Sequence, residues 1–183
     1  MKFAALPPNE AALLAALPAL NVLDTPAEVE FDASVQAAST VCQTPIAPIS
    51  LSDKDRQWFK TDHSLPGATE FPRDLTFCAH AILGNELFVA NDATADERFA
   101  DYPNVTGAPG VGFYAGAPVR SSNGQTAGAL RVVDLRPRQL DATQKEVLIS
   151  LSRAVSRALE GRHEAQQLRA AMVALQARRQ SSC

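Results

Sequence analysis

The stretch that decides the fold reads Val111-Gly112-Phe113-Tyr114-Ala115-Gly116-Ala117-Pro118-Val119-Arg120, then Ser121-Ser122-Asn123-Gly124-Gln125, then Thr126-Ala127-Gly128-Ala129-Leu130-Arg131-Val132-Val133-Asp134. From Val111 to Val119 the residues alternate, so Phe113, Ala115, Ala117 and Val119 share one face of a strand. Asn-Gly is the favoured signal for a two-residue hairpin turn. Thr126 to Asp134 then brings the chain back. Gly116, Ala127, Gly128 and Ala129 keep the surface of this hairpin thin. Such a surface suits either close helix packing or a ligand, and the residues alone do not choose between them.

A second hairpin lies upstream. Ala47, Ile49 and Leu51 alternate with polar or small residues, Asp53-Lys54-Asp55-Arg56 turns the chain, and Gln57 to Thr61 returns with Trp58 and Phe59. Pro48 cannot donate to a sheet ladder, so an edge strand or a bulge is expected there. Between the hairpins, residues 62–73 form a loop with Pro66, Gly67 and Pro72. Asp74 or Thr76 caps a short helix through Ala81 to Leu83, closed by Gly84. Leu87 to Ala90 is a short strand, Ala95 to Phe99 a helical turn, and Pro103 to Gly110 a Gly/Pro loop.

Two helices precede the strands. Asn9 caps the first, whose Leu13, Leu14 and Leu17 make one apolar face before Pro18 stops it. Thr25-Pro26-Ala27-Glu28 reads as a capping box opening the second. Phe31, Val35, Ala38 and Cys42 follow at helical spacing, which makes Cys42 a small core residue.

After the main hairpin, Asp141-Ala142-Thr143-Gln144 offers another capping-box start. Val147, Leu151, Ala154, Ala158, Gly161, Ala165, Leu168, Met172 and Leu175 then step by heptads. Leu148, Val155 and Leu159 widen the stripe before Gly161, enough for two partners, a sheet and a second helix. A helix over 141–179 is about 58 Å long, against a body roughly 37 Å across. It must overhang, and the exposed seam predicts a parallel homodimer. The competing reading is a domain helix that frays after Gly161, since its seam is rich in alanine.

Composition narrows the function. The 183 residues are 46% hydrophobic and 20% charged, with a net charge of −3. That suits one globular domain with an appendage and argues against nucleic acid or a membrane surface as partner. No apolar run approaches the roughly 20 residues of a membrane span, and Met1-Lys2-Phe3-Ala4 is no signal peptide. A cytoplasmic location is expected. Cys42, Cys78 and Cys183 are an odd, scattered set with no disulfide framework. Cys183 lies in a polar tail.

Few residues suggest chemistry. Cys78 and His80 are two apart on a short helix, so they point about 200° from each other and make a poor metal pair. His63 and His163 read as solvated. Asp53, Asp55, Asp74, Asp92 and Asp134 fall at turns or element ends. No hydrolase elbow or phosphate-binding glycine loop is present. Trp58, Phe77, His80, Phe99, Tyr102 and Tyr114 form either a pocket or a loop-covered second core. The core reading is preferred.

Five blocks carry a resemblance. They are Ser50-Leu51-Ser52-Asp53-Lys54-Asp55-Arg56-Gln57-Trp58-Phe59-Lys60, Pro72-Arg73-Asp74-Leu75-Thr76-Phe77-Cys78-Ala79-His80-Ala81-Ile82-Leu83, Asp92-Ala93-Thr94-Ala95-Asp96-Glu97-Arg98-Phe99-Ala100, Phe113-Tyr114-Ala115-Gly116-Ala117-Pro118 and Val132-Val133-Asp134. In this order they resemble bacterial GAF domains of the kind found upstream of histidine kinase or diguanylate cyclase modules. The resemblance implies an α+β, PAS-related fold: an antiparallel sheet of five or six strands with helices on one face and a long C-terminal coiled-coil helix. It implies a sensory domain over 9–160, a coiled-coil connector over 161–180, and flexible termini at 1–8 and 181–183. It further implies a small-molecule pocket or its remnant on the other face, near Trp58, Phe77, Cys78, His80, Asp92, Phe99, Tyr102, Phe113 and Tyr114.

The implied role is regulatory, in a two-component or cyclase pathway, with a homodimer through the last helix and a kinase or cyclase output module downstream. A ligand-free dimerisation module is the alternative. A cysteine-dependent enzyme of the free methionine sulfoxide reductase type ranks third, because its loop cysteine cluster has no counterpart here. Neither haem nor a covalent bilin is expected. Pro48, Gly112 and Arg131 depart from the family pattern. Arg131 on an inner strand needs a carboxylate partner or an open face.

Overall fold

The computed structural model describes residues 10–61, 69–73, 76–121 and 123–181, with Ala4 and Pro7. The elements run α1 (Glu10–Leu20), α2 (Val29–Cys42), β1 (Ile49–Ser52), β2 (Arg56–Phe59), β3 (Glu70–Pro72), α3 (Phe77–Ala81), β4 (Phe88–Ala90), α4 (Pro103–Thr106), β5 (Phe113–Arg120), β6 (Thr126–Asp134) and α5 (Ala142–Ser181). The strands form one antiparallel sheet in the order β3-β2-β1-β6-β5-β4. This is the expected α+β architecture.

Alternation along the strands divides the core in two. Ile49 and Leu51 of β1, Phe113, Ala115, Ala117 and Val119 of β5, and Leu130 and Val132 of β6 pack against Leu13, Leu17, Phe31, Val35, Leu148, Val155 and Leu159 of α1, α2 and α5. On the opposite face, Tyr114, Ala129 and Val133 join Phe77, Phe99, Tyr102 and Val105 around the short helices. The small residues of the hairpin are divided between the two faces, with Ala115, Ala117 and Ala127 on the helix side and Ala129 on the other.

Several local expectations change. Pro18 lies inside α1, which ends two residues later at Leu20. The Thr25–Glu28 capping box does not form. Thr25 Oγ1 donates to the Val22 carbonyl, and α2 begins at Val29 with no side-chain cap. The cause is Lys60. Its ammonium, on a residue only 3% exposed, donates to Thr25 Oγ1, the Pro26 carbonyl and Glu28 Oε1 at 2.9, 2.6 and 2.7 Å. A buried ammonium outbids a helix end for these oxygens.

β1 is central, not an edge, and the ladder is interrupted at Pro48 between the isolated Ile46–Val133 bridge and Ile49. A short edge strand, β3, occupies the end of the expected 62–73 loop, and one turn of helix, α4, occupies the expected 103–110 loop. Thr76 turns its hydroxyl back to the Arg73 carbonyl and does not cap α3. The β5–β6 connection is longer than two residues: Arg120 pairs with Thr126, and of Asn123 and Gly124 only Gly124 has positive φ, 79°. Residues 62–68 of the expected loop (with His63, Pro66 and Gly67), the Asn9 and Asp74 caps, Ser122 and Cys183 lie outside the described residues. So do most of the 1–8 terminus and residues 182–183.

The last helix starts as expected. Asp141 N donates to Gln144 Oε1 at 3.0 Å, and Gln144 N to Asp141 Oδ1 at 2.8 Å, a reciprocal capping box. Its 40 residues span about 60 Å. Leu148, Ser152, Val155 and Leu159 are buried against the body. The heptad seam lies beside this stripe, and its distal members Leu168, Met172 and Leu175 are 64%, 52% and 60% exposed.

Where the helix leaves the body, Arg162 Nε donates to Glu28 Oε1 at 2.9 Å, and Nη1 donates to the Leu20 and Asn21 carbonyls. Burial alone would raise the Glu28 carboxyl. The hydrogen bond and charge of Lys60, with Arg162, hold it below its usual value instead.

Gly128 marks the tightest approach in the sheet, since a Cβ there would lie 1.9 Å from the Ser50 carbonyl oxygen. Gly128→Ala should destabilise the chain by about 2–3 kcal/mol in urea denaturation. Gly161 meets nothing within 4 Å. Gly161→Ala should gain up to about 1 kcal/mol from helix propensity. Equal effects from the two changes would contradict this packing.

Candidate functional site

The outer sheet face, away from the long helices, carries a pocket of about 270 Å³. Its floor is Ile46, Tyr114, Arg131 and Val133; one wall is Phe71, Pro72, Thr76 and Phe77; the other is Pro103, Asn104, Ala108, Pro109 and Val111. Strand alternation explains the floor. Tyr114, Arg131 and Val133 are the residues of β5 and β6 that point away from the helices. Gly116 makes room for the tyrosine, because a Cβ there would sit 2.5 Å from the Tyr114 hydroxyl oxygen.

Beneath the pocket runs a buried polar chain. Gln57 Nε2 donates to Ser50 Oγ at 2.9 Å, Ser50 Oγ lies 3.4 Å from Cys78 Sγ, and Cys78 Sγ lies 2.9 Å from the Tyr114 hydroxyl. Burial first, and Cys78 after it, push the Tyr114 phenol well above its ordinary value, although Arg131 pulls the other way. Tyr114 is therefore a neutral hydroxyl at physiological pH.

Arg131 is the unusual member. The residue is 6% exposed, and no carboxylate pairs with it among the described residues. Its guanidinium lies 4.7 Å from the centre of the Phe59 ring, and Nη1 reaches only Gln57 Oε1 and Cys78 Sγ, each at 3.4 Å. Its Nε has no hydrogen-bond partner, and neither has Asn104 Oδ1 on the opposite wall. An unmet buried polar group costs about 1–3 kcal/mol, and more when charged.

A wider groove of about 760 Å³ lies between Leu87, Val89 and Pro118 at the far edge of the sheet and Ile149, Arg153 and Arg157 of α5. It has none of these unmet buried groups, so the smaller pocket is the better candidate site.

The sequence-predicted site residues do not converge. Phe77 and Tyr114 line the pocket, stacked at 5.0 Å, and Cys78 lies just behind them. Phe99 and Tyr102 back Phe77 in an aromatic cluster, where His80 Nε2 is 3.1 Å from the Tyr102 hydroxyl. Trp58 and Phe113 face the other way, into the helix-side core. Asp92 is occupied by the Thr94 backbone N–H and hydroxyl. Sequence reasoning noted Arg131 but did not place it in the site, and it missed Asn104 entirely. The signal for Arg131 was available: a charged residue at an inward position of an inner strand.

Cys78 and His80 point to different partners, and among the described residues no three His, Cys, Asp or Glu side chains cluster as metal ligands. Cys42 is buried in α2, and burial pushes its thiol up. No described helix is long and apolar enough to cross a membrane.

The chain belongs to the GAF domain family, whose model matches residues 26–159. It is 42% identical over 132 residues, 72% of its length, to a cyclic di-GMP phosphodiesterase of Pseudomonas aeruginosa. It spans only 22% of that relative. Among solved structures it is similar to the green light-absorbing state of the cyanobacteriochrome domain TePixJ, with a TM-score of 0.62, 16% identity, and coverage of 85% of this chain and 99% of that one. The GAF domain of Acinetobacter phosphoenolpyruvate-protein phosphotransferase matches with a TM-score of 0.58, 16% identity, and coverage of 86% and 96%. At these identities the structural matches establish the fold.

The Tyr114 environment gives a pH test. A phenol raised in the folded state adds stability below its unfolded value of 10.0, and that stability fades as pH climbs toward the folded value. Wild-type protein should lose folding stability above about pH 10, and Tyr114→Phe should flatten that loss. The phenolate absorbance difference between the two proteins should stay near zero until alkaline unfolding.

Proposed function

We propose that this chain is the sensory and regulatory segment of a signalling protein. It binds a small ligand in the outer-face pocket and passes its state to an output module through α5. The observation that carries this reading is the pocket itself: about 270 Å³, just below the roughly 300–1,000 Å³ of small-molecule sites, with two lining residues, Arg131 and Asn104, that each carry an unmet buried polar atom. The large relative supports the setting. A chain matching about a fifth of a cyclic di-GMP phosphodiesterase fits a regulatory segment beside a kinase, cyclase or phosphodiesterase module.

The proposed signal route is short. Residues of β5 and β6 that floor the pocket alternate with Phe113, Ala115 and Val132, which pack on the layer containing α5. A ligand that favours one packing of this layer tenfold shifts the balance by about 1.4 kcal/mol. Residues 161–180 form the connector, a parallel homodimeric coiled coil built on the exposed Leu168, Met172 and Leu175.

A ligand-free dimerisation module is the second reading. It is favoured by the way Phe77, His80, Phe99 and Tyr102 are consumed in their own aromatic cluster.

Light scattering after size exclusion should show a dimer at tens of micromolar, and Leu168→Glu with Leu175→Glu should give a folded monomer. A wild-type monomer at that concentration would sink the connector. A thermal-shift screen with metabolites, nucleotides and anions separates the two readings: sensing requires at least one compound that raises the melting point.

A further inference from the structure

Resting on the pocket reading above, we infer that the ligand is a small carboxylate with an apolar body and one hydrogen-bond donor, its carboxylate bound by Arg131 and its donor by Asn104. The lining sets these terms. The guanidinium is buried with its Nε unmet, and its neighbours are neutral: Gln57, Cys78 and the ring of Phe59. A guanidinium binds a carboxylate through paired hydrogen bonds, and the gain is large where water is excluded. Tyr114 does not supply the missing charge, because burial keeps its phenol neutral.

Arg131 is the one cation among the described lining residues. One positive charge matches a monoanionic carboxylate better than a phosphate dianion. Asn104 Oδ1 is an acceptor in need of a donor, such as a hydroxyl or an N–H. Ile46, Phe77 and Val133 offer only apolar surface, which suits an aromatic or branched aliphatic body.

The position of Arg131 supports a ligand role over a structural one. Lys60, the other deeply buried cation of the sheet, is fully provided for by Glu28, Thr25 and the Pro26 carbonyl. Arg73 likewise has the Glu10 carboxylate, with Nη2 2.7 Å from Oε2. Against that pattern, a buried arginine beside a cavity, with no carboxylate on it among the described residues, is a recognition group awaiting its anion.

Calorimetric titration of the full chain tests this with 3-phenyllactate and 2-hydroxyisocaproate, each against its neutral primary amide, and with inorganic phosphate at matched ionic strength. At least one carboxylate should bind ten times tighter than its amide and tighter than phosphate. Arg131→Met should abolish that preference, and Arg131→Lys, which keeps the charge, should retain part of it. Asn104→Leu should weaken the hydroxy acid several-fold more than the matching acid without the hydroxyl.

If the amides bind as tightly as the acids and Arg131→Met leaves both unchanged, the carboxylate assignment falls while the sensing reading stands. Tighter binding of phosphate also overturns it. If neither acid nor amide binds at millimolar concentration, this assignment falls, and the sensing reading then rests on the wider screen alone. The comparison of acid with amide on the wild-type chain needs no variant to fold.

Discussion

The β5–β6 ladder is the constraint on which both halves of the molecule depend. Successive side chains of a strand point to opposite faces, and a slip of one residue would exchange them all. Here the register sends Phe113, Ala115 and Val132 to the helices and Tyr114, Arg131 and Val133 to the pocket. A slip would drive Arg131 into the helix-side core and empty the pocket floor. The register is held on the β1 side by Gly128, which lets the backbones of β1 and β6 approach more closely than any side chain would allow. It is held at the far end by Gly112, whose missing Cβ would lie 2.8 Å from the Leu135 carbonyl oxygen. That contact accounts for a glycine at this position.

Two buried cations show how the same sheet handles charge differently on its two faces. Lys60 is surrounded by oxygens drawn from the α1–α2 connection, and Glu28 is shared between it and Arg162 of α5. This arrangement ties the entry of α2, the edge of the sheet and the exit of the long helix to one carboxylate. Its cost is the capping box that Thr25 and Glu28 would otherwise make. On the pocket face Arg131 has no such provision. Burying a charge without a counter-charge is destabilising, and Arg131 is held by the neutral Gln57, Cys78 and ring of Phe59 alone.

The two hairpins and the helix-side face of β5 were legible because they rest on period-two patterning and turn residues, which the local sequence carries. The same holds for Phe31, Val35, Ala38 and Cys42, and for the Asp141–Gln144 capping box, where local hydrogen bonds meet no distant competitor. The errors share a cause. Thr25, Glu28 and Thr76 have good capping chemistry, but distant or backward partners took their oxygens. Pro48 left an edge or a bulge open, because its missing donor is visible in sequence; the central place of β1, which makes the irregular ladder the outcome, is not. The predicted site scattered for a related reason. Trp58 and Phe113 are aromatic in sequence, but the face they occupy depends on register, and only Phe77 and Tyr114 reached the pocket wall.

The long helix acquires its meaning from the offset between its two stripes. Leu148, Val155 and Leu159 are buried by the body, while the heptad seam runs beside them and emerges exposed at Leu168, Met172 and Leu175. The two stripes overlap before Gly161, so a partner helix on the seam would also touch residues adjacent to those facing the sheet. Arg162 fixes the exit angle through Glu28 and the carbonyls closing α1. These contacts lie where the helix leaves the body, between its buried and its exposed halves.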